Sequence, residues 1–276
     1  MDAKSILLVI GRTDWEMDLQ QALMFSIEER SHLSVLAVAI ADPSPVGDYP
    51  VSETWLEKRK RDSETLASIV AQCQKECASA VSSFDVSSIY PDRGMAAAAF
   101  GQRALYCDLA LAGASALDDP DLRQNLMDGF LFEAGRPVFL MPDRPLSSLH
   151  PKQVLLAWDG SVVASRAARA ALDFLKSTEM VHVIMVDPER LASDEDPEPG
   201  ADMARYLARH GIRVELERLA SYGRPIADVL IDHAVHIHSD LIVMGAYGHW
   251  WLRERFFGGV TRTMVEQREV PVLMTR

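Results

Sequence analysis

Cysteine is scarce in this chain, and long apolar runs are absent. Cys73, Cys77 and Cys107 are the only three cysteines in 276 residues, too few and oddly numbered for a disulfide framework. Cys73 and Cys77 stand four apart on an expected helix and so share a face, but two ligands fall short of a metal site. No apolar run approaches the ~18–20 residues of a membrane span. The first five residues lead straight into a strand-like run without signal-peptide layout, so the expectation is a cytoplasmic protein. Positive charge is also short: 28 Lys and Arg face 40 Asp and Glu, a formal net charge of −12. That balance argues against nucleic acid and anionic membrane as partners, because phosphate backbones are gripped by a surplus of bases. The common catalytic signatures are missing too. There is no G-x-x-x-x-G-K-[ST] loop and no G-x-G-x-x-G. Gly113-Ala114-Ser115-Ala116-Leu117 lacks the closing glycine of a nucleophile elbow. With no evident general base, the expectation is a binding protein with at most slow hydrolysis.

What is present is a repeated order of elements. The composition, 48% hydrophobic and 25% charged, is that of a globular chain with enough apolar material for two cores. Strand-like runs at 5–10, 33–40, 84–89, 109–113 and 137–141 alternate with helical spacing at 17–28, 53–79, 95–106 and 119–134, the last broken near Gly129. A proline-bearing segment at 141–151 reads as a linker. The order then begins again. Strands are expected at 153–158, 180–186, 212–219, 241–244 and 270–275, with helices at 161–175, 201–209, 226–237 and 260–267. Ser161 is placed as an N-cap, and Pro225 suits a helix's first turn. Asp108-Leu109 before Gly113-Ala114 parallels Asp240-Leu241 before Gly245-Ala246. The expectation is α/β: two tandem Rossmann-like domains, 1–146 and 151–276. Each is an open five-stranded parallel sheet with helices on both faces and right-handed crossovers.

The second half carries the more informative loop. Its apolar strand runs into Gly245-Ala246-Tyr247-Gly248, and Gly258-Gly259 then opens a helix. Glycines permit tight turns and close backbone approach, and the free N–H groups of a helix start can hold an anion. By themselves such glycines also serve merely as turns.

The spacing glycine, two residues, glycine, nine residues, glycine at Gly245, Gly248 and Gly258 resembles the C-terminal signature of the universal stress protein family, in its tandem two-domain form. The resemblance covers 152–276 closely and 5–141 through element order. It implies an adenine-nucleotide α-hydrolase-like fold. It also implies a stress-response protein that binds ATP or a related adenine nucleotide, with Mg2+ as an accompanying ion. Asp159, at the end of the first strand, would contact adenine, and Val186 would meet the adenine edge through its backbone. Gly245, Gly248 and Gly258 would contact ribose and phosphates. The family's next position is Ser or Thr; here it is Gly259, with Thr261 two residues on. Paired last strands in the family imply that 137–141 meets 270–275, the N-terminal half acting as an intrachain pseudo-dimer partner. Association of whole chains into a homodimer stays open.

The first half departs from the pattern. It has no Asp where the first strand ends in Val9-Ile10-Gly11-Arg12, and no second glycine after Gly113. Residues 113–136 hold five acids and two bases, whereas 245–262 hold three bases and one acid. A phosphate is repelled from the first and tolerated at the second, so the first half reads as a degenerate, structural copy. Gly259 leaves a second reading open: a scaffold that binds no nucleotide, with Trp250 and Trp251 serving protein contacts. Arg253 and Arg255 read as loop charges or phosphate screens, and Tyr247 as a ribose edge. His233, His236 and His238 read as partly exposed helix-end histidines without metal, since no third ligand stands at a convincing spacing.

Overall fold

The structure, a computed structural model, describes residues 3–42, 53–146, 150–188, 200–247 and 259–276. The chain clusters into two compact units, Ala3–Arg136 and one built on Pro137–Arg276.

The first unit contains β1 (Ser5–Ile10), α1 (Glu16–Glu29), β2 (His32–Val38), α2 (Glu53–Ala80) and β3 (Phe84–Ile89). A 3-10 turn (Arg93–Met95), α3 (Ala96–Ala104), β4 (Leu109–Ala112), α4 (Ala114–Asp118), α5 (Pro120–Met127) and a π-helical turn (Asp128–Glu133) follow. The strand order is β3-β2-β1-β4, all parallel. The central strands are continuous apolar runs because both faces are covered: Ile6, Leu8, Val9, Ile10, Leu109 and Leu111 are all within 1% of full burial.

The second unit contains β5 (Val138–Leu140), β6 (Gln153–Ala157), α6 (Val162–Ala170), α7 (Leu172–Lys176) and β7 (Met180–Val186). It continues with α8 (Ala201–Arg209), β8 (Val214–Leu219), α9 (Ile226–His236), β9 (Leu241–Gly245), α10 (Gly259–Glu266) and β10 (Val272–Thr275). The order is β5-β10-β9-β6-β7-β8. Five strands are parallel, and β5 joins β10 antiparallel, Leu273 opposite Phe139. These are the two strands expected to meet.

One device recurs in both units. Asp108 Oδ2 accepts from Lys4 N at 2.8 Å and Ser5 N at 3.0 Å; Asp240 Oδ2 accepts from Lys152 N at 2.7 Å and Gln153 N at 3.1 Å. Each aspartate immediately precedes a strand and ties the start of β1 or β6 to it. The register of β1 on β4 and of β6 on β9 is pinned at the amino end, so the carboxyl ends are level.

Three helices differ from expectation. The stretch after Gly113, read as loop, forms α4, because a buried carboxylate described below takes up its first amides. The 161–175 helix turns at Ala171, where ψ is −7°, and Phe174 and Leu175 beyond the turn are buried. The helix at 119–134 starts on an Asp119 cap with Pro120 in its first turn, then passes into the π turn at Asp128. There Gly129 and Gly101 cross closely: a Cβ on Gly129 would lie 2.6 Å from Ala97 O, and one on Gly101 would lie 2.5 Å from Glu133 Cβ. The rest of the pattern follows the periodicity. Among the described residues no helix is long and apolar enough to cross a membrane.

Gly245 ends β9 against the start of α6, where a Cβ would stand 2.5 Å from Val163 C and 2.6 Å from Ala164 N. Both atoms are backbone and cannot yield by a rotamer change. Gly245→Ala should therefore lower stability by about 1–3 kcal/mol in urea unfolding, the usual cost of overpacking; an unchanged midpoint would show that α6 is not held against β9.

Candidate functional site

In an open parallel sheet, ligands gather at the carboxyl ends of strands where the chain reverses its direction of travel. In the second unit that point lies between β6 and β9. The register sets Leu156 opposite Val243 and Ala157 opposite Ile184. Counting on, Asp159 comes level with Ala246 on one side and with Val186 on the other.

Asp159 is exposed, and its Oδ1 accepts from Ser161 N at 3.0 Å. Gly160 takes φ +74°, which lets the chain turn sharply between them. Ser161 then caps α6, its hydroxyl accepting from Ala164 N at 3.2 Å. The turn is thus rigid at its helix side and presents the carboxylate outward. Val186 is half-buried at the end of β7. The next residue fixes it. Asp187 N donates to Leu219 O at 2.9 Å, and the Asp187 carboxylate accepts from Ser221 N at 2.8 Å and Ser221 Oγ at 2.7 Å. This clamp holds the loops after β7 and β8 together. Its residues lie 34 apart, and no local motif in the sequence announces it.

Gly245 is half-buried, and Ala246 N donates to Thr275 O at 2.7 Å, extending the pairing of β9 with β10. Tyr247 has φ +61°. Gly248 and Gly258 lie outside the described residues, as do Trp250, Trp251, Arg253 and Arg255. Gly259 opens α10 and is exposed, and among the described residues a Cβ there meets nothing within 4 Å. Thr261, one turn in, is buried at 4% exposure. The structure therefore brings Asp159, Val186 and the end of β9 to one level. Asp159 is exposed there, whereas Val186 and Gly245 are half-buried.

The equivalent place in the first unit is filled from within. Asp18, in the first turn of α1, is fully buried. It accepts from Ala114 N and Ser115 N at 3.1 Å each, and from Ser115 Oγ. A Cβ on Gly113 would fall 2.0 Å from Asp18 Cγ, so only glycine admits the carboxylate. The amides that start α4 are thus committed to a fixed anion of the chain itself. Burial is the main force raising the Asp18 pKa, to about 6, against the opposing pull of those hydrogen bonds.

The helix-end histidines divide. His236 and His238 are exposed, as expected. His233 is not: its side chain is 14% exposed, and its Nε2 stands 3.1 Å from Glu217 Oε2. The partner missing along the chain comes from β8, across the fold.

Comparison with known proteins follows the same division of the chain. Residues 151–276 match the model of the universal stress protein family. A universal stress protein of Synechocystis is 27% identical over 133 residues, 45% of this chain and 42% of that one. One from Methanocaldococcus jannaschii is 25% identical over 142 residues, 45% of this chain and 82% of that protein. The chain therefore spans less than half the length of the Synechocystis relative. A universal stress protein structure from Archaeoglobus fulgidus superposes with TM-score 0.66 at 16% identity, covering 100% of this chain and 97% of its own. A Pseudomonas aeruginosa structure gives 0.60 at 18%, covering 99% and 92%. At such identities the likeness is one of fold. Residues 151–276 are thus similar to the universal stress protein family, and the chain has the Rossmann-like α/β fold of its structural relatives.

The raised Asp18 pKa gives a pH signature. An unfolded Asp titrates near 3.9, whereas Asp18 in the fold titrates near 6. Between the two, the folded chain holds a proton that the unfolded chain has lost. This stabilisation is fully present below about pH 4 and is lost as pH rises through about 6. Between pH 5 and 7 wild type should lose about 1 kcal/mol relative to Asp18→Asn in urea unfolding; parallel pH profiles would show that Asp18 is not raised.

Proposed function

We propose that the second unit binds ATP or a related adenine nucleotide, and that occupancy governs contacts with other proteins during stress. The level placement of Asp159, Val186 and the end of β9 at the reversal point is the observation that carries this reading, together with the glycine spacing in the sequence. Asp159 would accept from the adenine amino group, and the Val186 backbone would meet the base edge. Gly245, Gly248 and Gly258 would admit ribose and phosphates to the main chain. The N–H at Gly259 would add a donor at the start of α10, where the helix dipole also favours an anion. Thr261, being buried in α10, would support that helix start. The Asp18 carboxylate supports reading the first unit as a structural partner: a nucleotide phosphate there would have to displace an anion already bonded.

Gly259 supports a second reading, in which the protein is a scaffold without nucleotide. The hydroxyl that the family pattern places there is worth roughly 1.5–3 kcal/mol against a charged group, about one to two decades of affinity. Open space at that position lets the missing group be restored.

Isothermal titration with ATP tests both. The expected result is one site per chain, weakened about tenfold or more in Asp159→Ala and tightened ten- to hundredfold in Gly259→Ser. Absence of heat in wild type and in Gly259→Ser alike would reject nucleotide binding and leave the scaffold.

A further inference from the structure

A second cluster of chemically capable side chains lies on β6, β7 and β8, at the other end of β7 from the nucleotide edge. The parallel register sets His182 directly opposite Glu215 and Ile184 opposite Glu217. Because side chains alternate along a strand, His182, Glu215 and Glu217 project from one face. His182 Nδ1 stands 2.8 Å from Glu217 Oε1 and 3.9 Å from Glu215 Oε2. One ligand atom from each of the three residues lies within 4.8 Å of both others. His182 is 12% exposed and Glu217 25%, whereas Glu215 is 59% exposed and supplies the solvent side.

Each inner member has a polar neighbour behind it. Gln153 on β6 presents Oε1 to His182 Nε2 at 3.1 Å. An amide oxygen accepts only, so Nε2 carries the proton and the Nδ1 lone pair faces the carboxylates. A lone pair at that distance from carboxylate oxygens is stable only with a cation between them, either a proton or a metal ion. On the far side of Glu217, His233 from α9 places Nε2 3.1 Å from Oε2. Its Nε2 is buried and makes no aligned hydrogen bond among the described residues. An imidazole oriented by a carbonyl-type oxygen is the usual support of a metal site, and the His233 nitrogen stands close enough to align on Glu217 once that carboxylate is ligated.

We propose that His182, Glu215 and Glu217 bind one divalent ion of the zinc class, with Gln153 and His233 as positioning residues. One imidazole nitrogen and two carboxylates are a borderline donor set that favours zinc or cobalt over magnesium and calcium. Metal–ligand bonds of about 2.0–2.1 Å in a tetrahedron give ligand–ligand edges of roughly 3.3 Å. The observed 2.8 and 3.9 Å separations bracket that value, so small side-chain rotations complete the site. Three protein ligands leave a fourth position open to water or an incoming donor. Four residues of strand separate His182 from Val186, roughly 13 Å, so this ion is distinct from any that accompanies a nucleotide. The site stands whether or not nucleotide binds.

The test is titration of the chelator-treated full chain with zinc chloride, followed by calorimetry, and with cobalt chloride, followed by visible absorption. One equivalent per chain with a tetrahedral cobalt spectrum is expected. His182→Ala, Glu217→Gln and Glu215→Ala should each weaken uptake at least tenfold. Gln153→Ala and His233→Ala should weaken it roughly tenfold, and His236→Ala should leave it unchanged. Glu215 is exposed, so its variant keeps the test decisive should a buried substitution unfold the chain, which circular dichroism reports. No saturable uptake, or uptake that Glu215→Ala leaves intact and His236→Ala abolishes, would overturn the assignment.

Discussion

A carboxylate gripping main-chain amides at a strand's beginning sets the geometry on which the rest depends. Asp108 and Asp240 each bond two consecutive N–H groups at the entry to β1 and β6. Parallel pairing is otherwise free to slip, since an apolar run such as Leu241 to Met244 fits its neighbour almost as well one step along. Such a slip would move every side chain to the opposite face. With the amino ends fixed, Asp159 and the end of β9 arrive together at the opposite edge. The candidate site is thus a consequence of a bond made at the far end of the sheet.

The two units use the same scaffold with opposite electrostatic outcomes at that edge. At the carboxyl ends of β4 and β9 a glycine stands where α1 or α6 comes too close for a side chain. At Gly245 the neighbour is backbone, Val163 and Ala164; at Gly113 it is the Asp18 carboxylate. The same absence of a Cβ therefore permits tight packing in one unit and an internal counter-anion in the other. The charge difference read from residues 113–136 and 245–262 points the same way, but its agent in the first unit is a residue nearly a hundred positions earlier.

Element order, the doubling of the pattern, the Asp–Leu repeats and the Ser161 cap were legible because each rests on local periodicity or a short-range hydrogen bond. Asp18 was not, since nothing about an acid in the first turn of a helix says that it will be buried beneath a distant one. The Asp187–Ser221 clamp and the grouping of His182, Glu217 and His233 escaped for a related reason. They are made by lateral register between strands, which spacing along one segment does not encode. His233 shares its helix end with His236, yet its partner is on β8. Tertiary placement, rather than sequence proximity, decided which histidine became chemically significant.

The outermost strands β3 and β8 share the burial pattern of half-covered, solvent-alternating chains. Each is a sheet margin, and β8 carries Glu215, Glu217 and Arg218, while β3 carries Asp85 bonded to His32 and Ser34. Charged margins of this kind discourage an extended foreign segment from docking as an additional strand. Self-association or partner capture by strand addition is thereby disfavoured at these two borders. Recruitment of other macromolecules would instead proceed through helical surfaces and loops, where contacts can be released without breaking a hydrogen-bonded ladder.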